Sequence, residues 1–156
     1  MKTLILYATK HGAAEDIAKR IAAQIGDADL YNLKQENIPQ LGDYDCVIVG
    51  SSVYAGAFRK EAKAFLARNA DQLCEKKLGL FICAMSENNE DEVLKANVPE
   101  EVVKAATAAR TLGGAFDPKK GNFFERLIMK AVTKQSGSIS TISDEKISKF
   151  VEAMKS

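Results

Sequence analysis

No apolar run in this chain approaches the roughly 20 residues of a membrane-spanning helix, so no transmembrane segment is expected among its 156 residues. The N-terminus lacks the charged region, long apolar core and cleavage site of a secretory leader. Cysteine is scarce. Cys46, Cys74 and Cys83 are odd in number and form no C-x-x-C pair, which argues against a disulfide framework or a zinc site. Cys46 and Cys83 sit in or beside apolar runs, as small buried residues do. A cytoplasmic location follows. Excess charge is missing too: 22 Lys and Arg face 21 Asp and Glu, for a net charge of +1. Such a balance exerts no global pull on nucleic acid or membrane, and no nucleic-acid partner is expected. Histidine occurs once, as His11. No Ser/His/Asp or Cys/His set can be assembled, so no catalytic residue and no metal ligand is assigned. Neither G-x-G-x-x-G nor G-x-x-x-x-G-K-[ST] is present, which removes the dinucleotide fingerprint and the nucleoside-triphosphate loop.

What is present is the composition of one globular domain over residues 1–156, with 46% apolar and 28% charged residues. Strand-like runs fall at Thr3–Ala8, Ala28–Leu33, Cys46–Ser51 and Leu78–Met85, with a weaker one at Thr111–Phe116. Helical faces lie between them: Ile17, Ile21 and Ile25; then Phe58, Ala62, Phe65 and Leu66; then Val98, Val102, Val103 and Ala106. A last helix carries Ile147, Phe150, Val151 and Met154, with Ser143 as its N-cap. Alternating strands and helices predict an α/β domain with a doubly wound, five-stranded parallel sheet covered on both faces. One stretch exceeds a minimal pattern of five units. Residues 117–138 read as an insertion that interrupts or follows the fifth strand, with an amphipathic helix over 122–135. Phe123, Phe124, Leu127, Ile128 and Val132 form its apolar face, and Arg126, Lys130 and Lys134 its basic side. Most such helices cover a core; a basic one also suits a membrane surface or an acidic partner.

Ligands of such sheets sit beyond the carboxyl ends of the strands, at the switch point of strand order. Three loops meet there. The first, Thr9-Lys10-His11-Gly12-Ala13-Ala14, joins an apolar strand directly to a helix start. The free N–H groups and positive dipole end of that helix suit a single phosphate monoester; the plainer alternative is an ordinary polar turn. The second, Ser51-Ser52-Val53-Tyr54-Ala55-Gly56, lets a ligand approach the backbone closely. Tyr54 has only small neighbours in sequence and is read as stacking on a flat ring rather than folding over the next helix. The third, Ala84-Met85-Ser86-Glu87, offers backbone groups to a ring edge and otherwise reads as a surface loop. The carboxylates Glu15-Asp16 and Glu90-Asp91-Glu92 fall at helix starts, where they complement the dipole.

Together these loops resemble the flavodoxin family, whose members bind FMN. Tyr7 through Ala18 is similar to the family's phosphate loop and first helix, Gly50 through Gly56 to its second flavin loop with Tyr54 in the stacking position, and Ala84–Glu87 stands where the third belongs. The resemblance implies a sheet order of 2-1-3-4-5, an FMN cofactor held by those three loops, and electron transfer to a redox partner protein or a quinone. One position departs from the pattern: the family's phosphate loop ends in Thr or Ser, and here stands Ala14. Restoring a hydroxyl there is expected to tighten binding. Gly113-Gly114-Ala115-Phe116 and the stretch Phe123 through Gly137 resemble the flavodoxin-like protoporphyrinogen IX dehydrogenases, which pass electrons to quinone.

Two other classes compete. A receiver-type signalling module shares the sheet order but needs acidic residues after the first strand and an aspartate ending the third. Here those places hold Ala8-Thr9 and Gly50-Ser51-Ser52. A scaffold with an empty cleft is the third reading.

Overall fold

The run Thr3–Ala8 forms a strand buried along its whole length (β1), as expected of a central strand of a parallel sheet covered on both faces. The structure is a computed structural model and describes residues 1–35, 37–116 and 139–156. The anticipated insertion 117–138, with its helix over 122–135, lies outside the described residues.

Four further strands run parallel to β1: β2 (Ala28–Asn32), β3 (Cys46–Tyr54), β5 (Lys77–Cys83) and β6 (Ala108–Thr111). Their order is β2-β1-β3-β5-β6, with the two-residue β4 (Ala57–Phe58) pairing antiparallel to the end of β3. Counted as parallel strands this is the expected 2-1-3-4-5 arrangement. Alternation along β1 divides the core in two. Leu4, Leu6 and Ala8 join Val47, Val49, Leu78 and Leu80 on one face, under α2 (Lys60–Arg68), α3 (Ala70–Cys74), α4 (Glu90–Asn97) and α5 (Glu100–Ala105). Ile5 and Tyr7 join Ile48 and Phe81 on the other, under α1 (Ala13–Ile25) and α6 (Asp144–Lys155). The Ser143 hydroxyl caps α6 by accepting from the Lys146 N–H at 3.2 Å, as its sequence position predicts.

Three elements differ from the sequence expectation. First, β3 runs on to Tyr54 because Ala55 (φ +51°) and Gly56 (φ +80°) turn the chain back at once into β4; two left-handed residues are the requirement of a tight hairpin turn. Phe58 therefore belongs to that hairpin and not to the helix after it. Second, the helix expected around Val98–Ala106 is the shorter α5, because the Val98-Pro99 pair is extended and separates it from α4, which precedes it. Third, the fifth parallel strand is Ala108–Thr111, where two alanines and an arginine conceal it. The chain then breaks at Gly113 (φ +100°), and Ala115–Phe116 (β7) pairs antiparallel with Ile139–Ser140 (β8). That ribbon pairs the residues that flank 117–138, after the last sheet strand. The exposed edge of β6 is covered by a side chain: Glu90 accepts the Thr111 N–H at 2.5 Å, which blunts an open sheet edge.

Candidate functional site

The carboxyl ends of β1, β3 and β5 deliver three loops to one end of the sheet. Between β1 and α1 the chain turns through Thr9–Gly12. The Thr9 hydroxyl accepts the Gly12 N–H at 2.9 Å, and Gly12 takes a left-handed φ of +97° with open space where a side chain would stand. The first helical bond runs from Asp16 N–H to Gly12 C=O at 3.0 Å. No side chain caps α1, so the N–H groups of its first turn remain for water or an anion. The acids of that turn are neutralised locally. Glu15 pairs with Lys19 at 3.2 Å, and Asp16 takes both arms of Arg20 at 3.0 and 3.1 Å. Both acids stand in the first turn of α1, where they complement the helix dipole.

Ala14 is fully buried in the core on the α1 side, in the cluster that contains Ile5, Ile17 and Ala18. Only its backbone N–H is left to serve a ligand. A hydroxyl added there enters apolar packing, so the expectation that a threonine at 14 tightens binding loses its ground.

The second loop is the β3–β4 hairpin, held from below by two buried polar side chains. Ser51 Oγ accepts the Arg59 N–H at 2.9 Å and donates to Ser52 C=O at 2.9 Å. Asn97, 6% exposed, accepts the Phe58 N–H at 2.9 Å and donates to the carbonyls of Gly56 and Val93, both at 2.8 Å. The hairpin thus presents Tyr54 outward. Among the described residues only Met1 and Tyr54 are large apolar side chains left exposed, Tyr54 at 38%. The Lys10 ammonium lies 5.5 Å from the Tyr54 ring centroid, a cation–π contact that ties the first loop to the second.

The third loop leaves β5 at Cys83. Ala84 N–H donates to Gly113 C=O at 3.1 Å, and the chain around Gly114 passes so closely that a Cβ there would stand 2.8 Å from the Ala84 carbonyl carbon. Thr141 fastens this crossing, its N–H donating to Gly114 C=O at 2.7 Å. Further along, Ser86 Oγ accepts the Asn88 N–H at 3.1 Å, and the Glu87 carboxylate pairs with Lys146 of α6.

One cleft of about 120 Å³ lies where the loops meet. Thr9, Lys10, His11 and Ala13 come from the first loop and Ser52, Val53 and Tyr54 from the second. The third contributes Ala84 and Met85. Gly12, Ala14, Ser51, Ala55, Gly56, Ser86 and Glu87, all read from the sequence as ligand-facing, do not line it. Gly56 and Ser86 border an adjoining groove with Asn88 and Glu92, and Glu87 borders another beside Arg110 and Lys146. A wider groove of about 900 Å³, between Leu33–Gly42 and α2, involves none of the three loops. Four lining residues escaped sequence reasoning: Arg59, Cys83, Gly114 and Ala115. The adjacent glycines 113 and 114 were the available signal, since paired glycines mark a close backbone approach.

The described lining contains no carboxylate; Lys10 brings positive charge from the first loop and Arg59 from the end of the β3–β4 hairpin. Burial pushes the Cys83 thiol up to about 12, with Asp16 adding to the shift. It therefore stays protonated and offers apolar floor rather than a nucleophile. Among the described residues no cluster of His, Cys, Asp and Glu suits a metal ion. The arrangement suits an anion at one end and a flat ring at Tyr54, and the described lining brings no acid–base pair.

The profile of the Flavodoxin domain family matches residues 4–142. Over 77 residues the chain is 32% identical to the protoporphyrinogen IX dehydrogenase [quinone] of Escherichia coli K12, covering 47% of this chain and 42% of that protein. It thus spans less than half the length of this curated relative. Among solved structures, the flavodoxin of Streptococcus pneumoniae TIGR4 superposes with a TM-score of 0.63 at 14% identity, over 99% of this chain and 98% of the other. A flavoprotein of Lactobacillus acidophilus NCFM, solved in complex with FMN, gives a TM-score of 0.55 at 17% identity, over 70% and 92%. At these identities the structural likenesses establish the fold.

Proposed function

We infer the function from one premise: this chain belongs to the Flavodoxin domain family, whose profile spans residues 4–142. It is an FMN-binding redox protein. One observation carries this reading: three loops from three strand ends converge on a cleft that pairs an uncapped helix N-terminus with an exposed tyrosine. The phosphate monoester sits on the backbone N–H groups of the Thr9–Ala14 loop, where dipole and orphan donors favour it. Tyr54 stacks on the isoalloxazine ring, and Ala84 and Met85 border its edge. Bound FMN supplies the electron chemistry; the chain positions it and shields it from water.

Titration of the purified protein with FMN, followed by quenching of flavin fluorescence, tests this directly. One FMN per chain is the expected stoichiometry. Tyr54→Ala is expected to weaken FMN binding by roughly 2- to 12-fold, since an aromatic contact of this kind contributes about 0.5–1.5 kcal/mol beyond area burial. Its melting temperature should hold, because the side chain is exposed. Unchanged affinity in that variant moves the ring away from Tyr54, and a wild-type protein that quenches no flavin removes the reading altogether.

A second reading keeps the cofactor and names the reaction: a protoporphyrinogen IX dehydrogenase-type oxidoreductase that passes electrons to a quinone. The 32% identity over 77 residues to the E. coli enzyme favours it. The 117–138 segment, with its lysines and apolar positions, is then the contact to the acceptor, whether a partner protein or a quinone at a membrane surface. No described helix is long and apolar enough to cross a membrane, and the chain works in the cytoplasm or at the membrane's inner face. Because β7 and β8 pair Ala115 with Ser140 and Phe116 with Ile139, residues 119–136 can be excised with a short Gly/Ser join. That variant is expected to bind FMN as before and to lose electron transfer to its acceptor. Loss of FMN binding as well assigns the segment to the cofactor site instead.

A further inference from the structure

We propose that Arg59 is the ring-side charge of the cleft: it contacts the flavin ring rather than the phosphate and stabilises the ring once reduced. The proposal rests on the FMN reading above and adds a specific residue and a redox consequence to it.

Arg59 stands between β4 and α2, with its N–H fixed on the buried Ser51 hydroxyl at 2.9 Å. Its backbone is thereby pinned beneath the Tyr54 hairpin, and its side chain lines the same cleft as Tyr54 and Ala84. Its Nε is buried and has no hydrogen-bond partner. Arg20 shows the contrast: its Nε and one Nη donate to Asp16, and its other Nη donates to Asp144 at 2.9 Å. A buried donor of a charged group left unsatisfied is costly and calls for an explanation, such as a partner that arrives with a ligand. The described cleft wall holds no carboxylate to take that role.

The chemistry of the missing partner follows. A guanidinium is a planar fork of donors that suits two neighbouring acceptors in one plane. The edge of an isoalloxazine offers such a pair, a carbonyl oxygen beside a ring nitrogen. The phosphate has its own donors at the first turn of α1, one loop away from the hairpin that carries Arg59. Reduction sharpens the demand. Two electrons from an external reductant and one proton convert the neutral oxidised ring to a reduced ring bearing one negative charge. A fixed cation in a cleft of low dielectric favours that charged form and raises the potential at which it is reached.

The test uses Arg59→Gln and Arg59→Lys, each titrated with FMN and with riboflavin, which has the ring but no phosphate. The glutamine variant is expected to bind both ligands more weakly, by the same factor of roughly ten. Its FMN-loaded midpoint potential, read by spectroelectrochemical titration with dithionite or an electrode, is expected to move to more negative values. The lysine variant keeps the charge without the fork. It should retain most of the potential while still losing affinity for both ligands, and it serves as the test if the glutamine variant does not fold. Weaker FMN binding with unchanged riboflavin binding would place Arg59 on the phosphate and overturn the proposal. So would unchanged affinity and potential in both variants, or a lysine variant whose potential falls as far as the glutamine variant's. A wild-type chain that binds neither ligand removes the FMN reading and this proposal with it, an outcome distinct from the others.

Discussion

Asn97→Leu is expected to cost about 3 kcal/mol of stability and to weaken FMN binding by tenfold or more, although Asn97 does not line the cleft. Asn97 is 6% exposed and satisfies three backbone groups at 2.8–2.9 Å, two of them, Phe58 N–H and Gly56 C=O, in the hairpin that carries Tyr54. Leucine keeps the branching at Cγ and satisfies none of them. The hairpin groups then stay unpaired beneath the loop, or the hairpin lifts to meet water. Either result removes the fixed platform of the proposed ring stacking. Urea unfolding and flavin titration of the same sample check both parts. The comparison with Tyr54→Ala is the informative one: that variant loses affinity alone, whereas Asn97→Leu loses stability and affinity together. Full stability in the leucine variant would show that the hairpin is held by its turn alone.

Gly113→Ala is expected to cost about 4 kcal/mol of stability. Two costs add. The left-handed φ of +100° strains an alanine, on the order of 1–3 kcal/mol. The new Cβ would also stand 2.1 Å from the Thr141 carbonyl oxygen and 2.6 Å from Ile142 Cα, a backbone collision that no rotamer relieves, costing typically about 1–3 kcal/mol. Gly12→Ala separates the two terms. Gly12 has a similar φ of +97° but nothing within 4 Å of the added carbon, so only the strain remains, about 1–2 kcal/mol. Because Gly113 C=O accepts the Ala84 N–H at 3.1 Å, the alanine variant should also expose the third loop to faster amide hydrogen exchange at Ala84. Equal melting temperatures for the two variants would refute the collision at Thr141.

The sheet was legible because its signals are local. β1, β3 and β5 contain near-continuous apolar runs that need no partner to be seen, and the order of strands and helices restricts the topology to few choices. The first loop was legible for the same reason: strand end, turn and helix start are contiguous in sequence, so the uncapped N-terminus of α1 could be placed from residues 9–14 alone. Tyr54 was legible because its sequence neighbours are too small to bury it. The fifth strand was misplaced because Ala108, Ala109 and Arg110 have weak strand propensity and become a strand only by pairing with Gly79, Leu80 and Phe81 of β5.

By itself, then, the sequence determined the alternation of elements, the two-faced core and the strand–turn–helix loop proposed for an anion, since each follows from hydrophobic period and backbone chemistry within a few residues. Tertiary structure alone decided which side chains share the cleft. Ser51 turned inward to hold Arg59, Ala14 turned into the core, and Glu87 was drawn away to Lys146 of a helix about 60 residues later in the chain. Arg59, Gly114 and Asn97 acquired their roles only by packing against segments distant in sequence, because a buried polar group's partner is set by proximity in space, which no local pattern encodes.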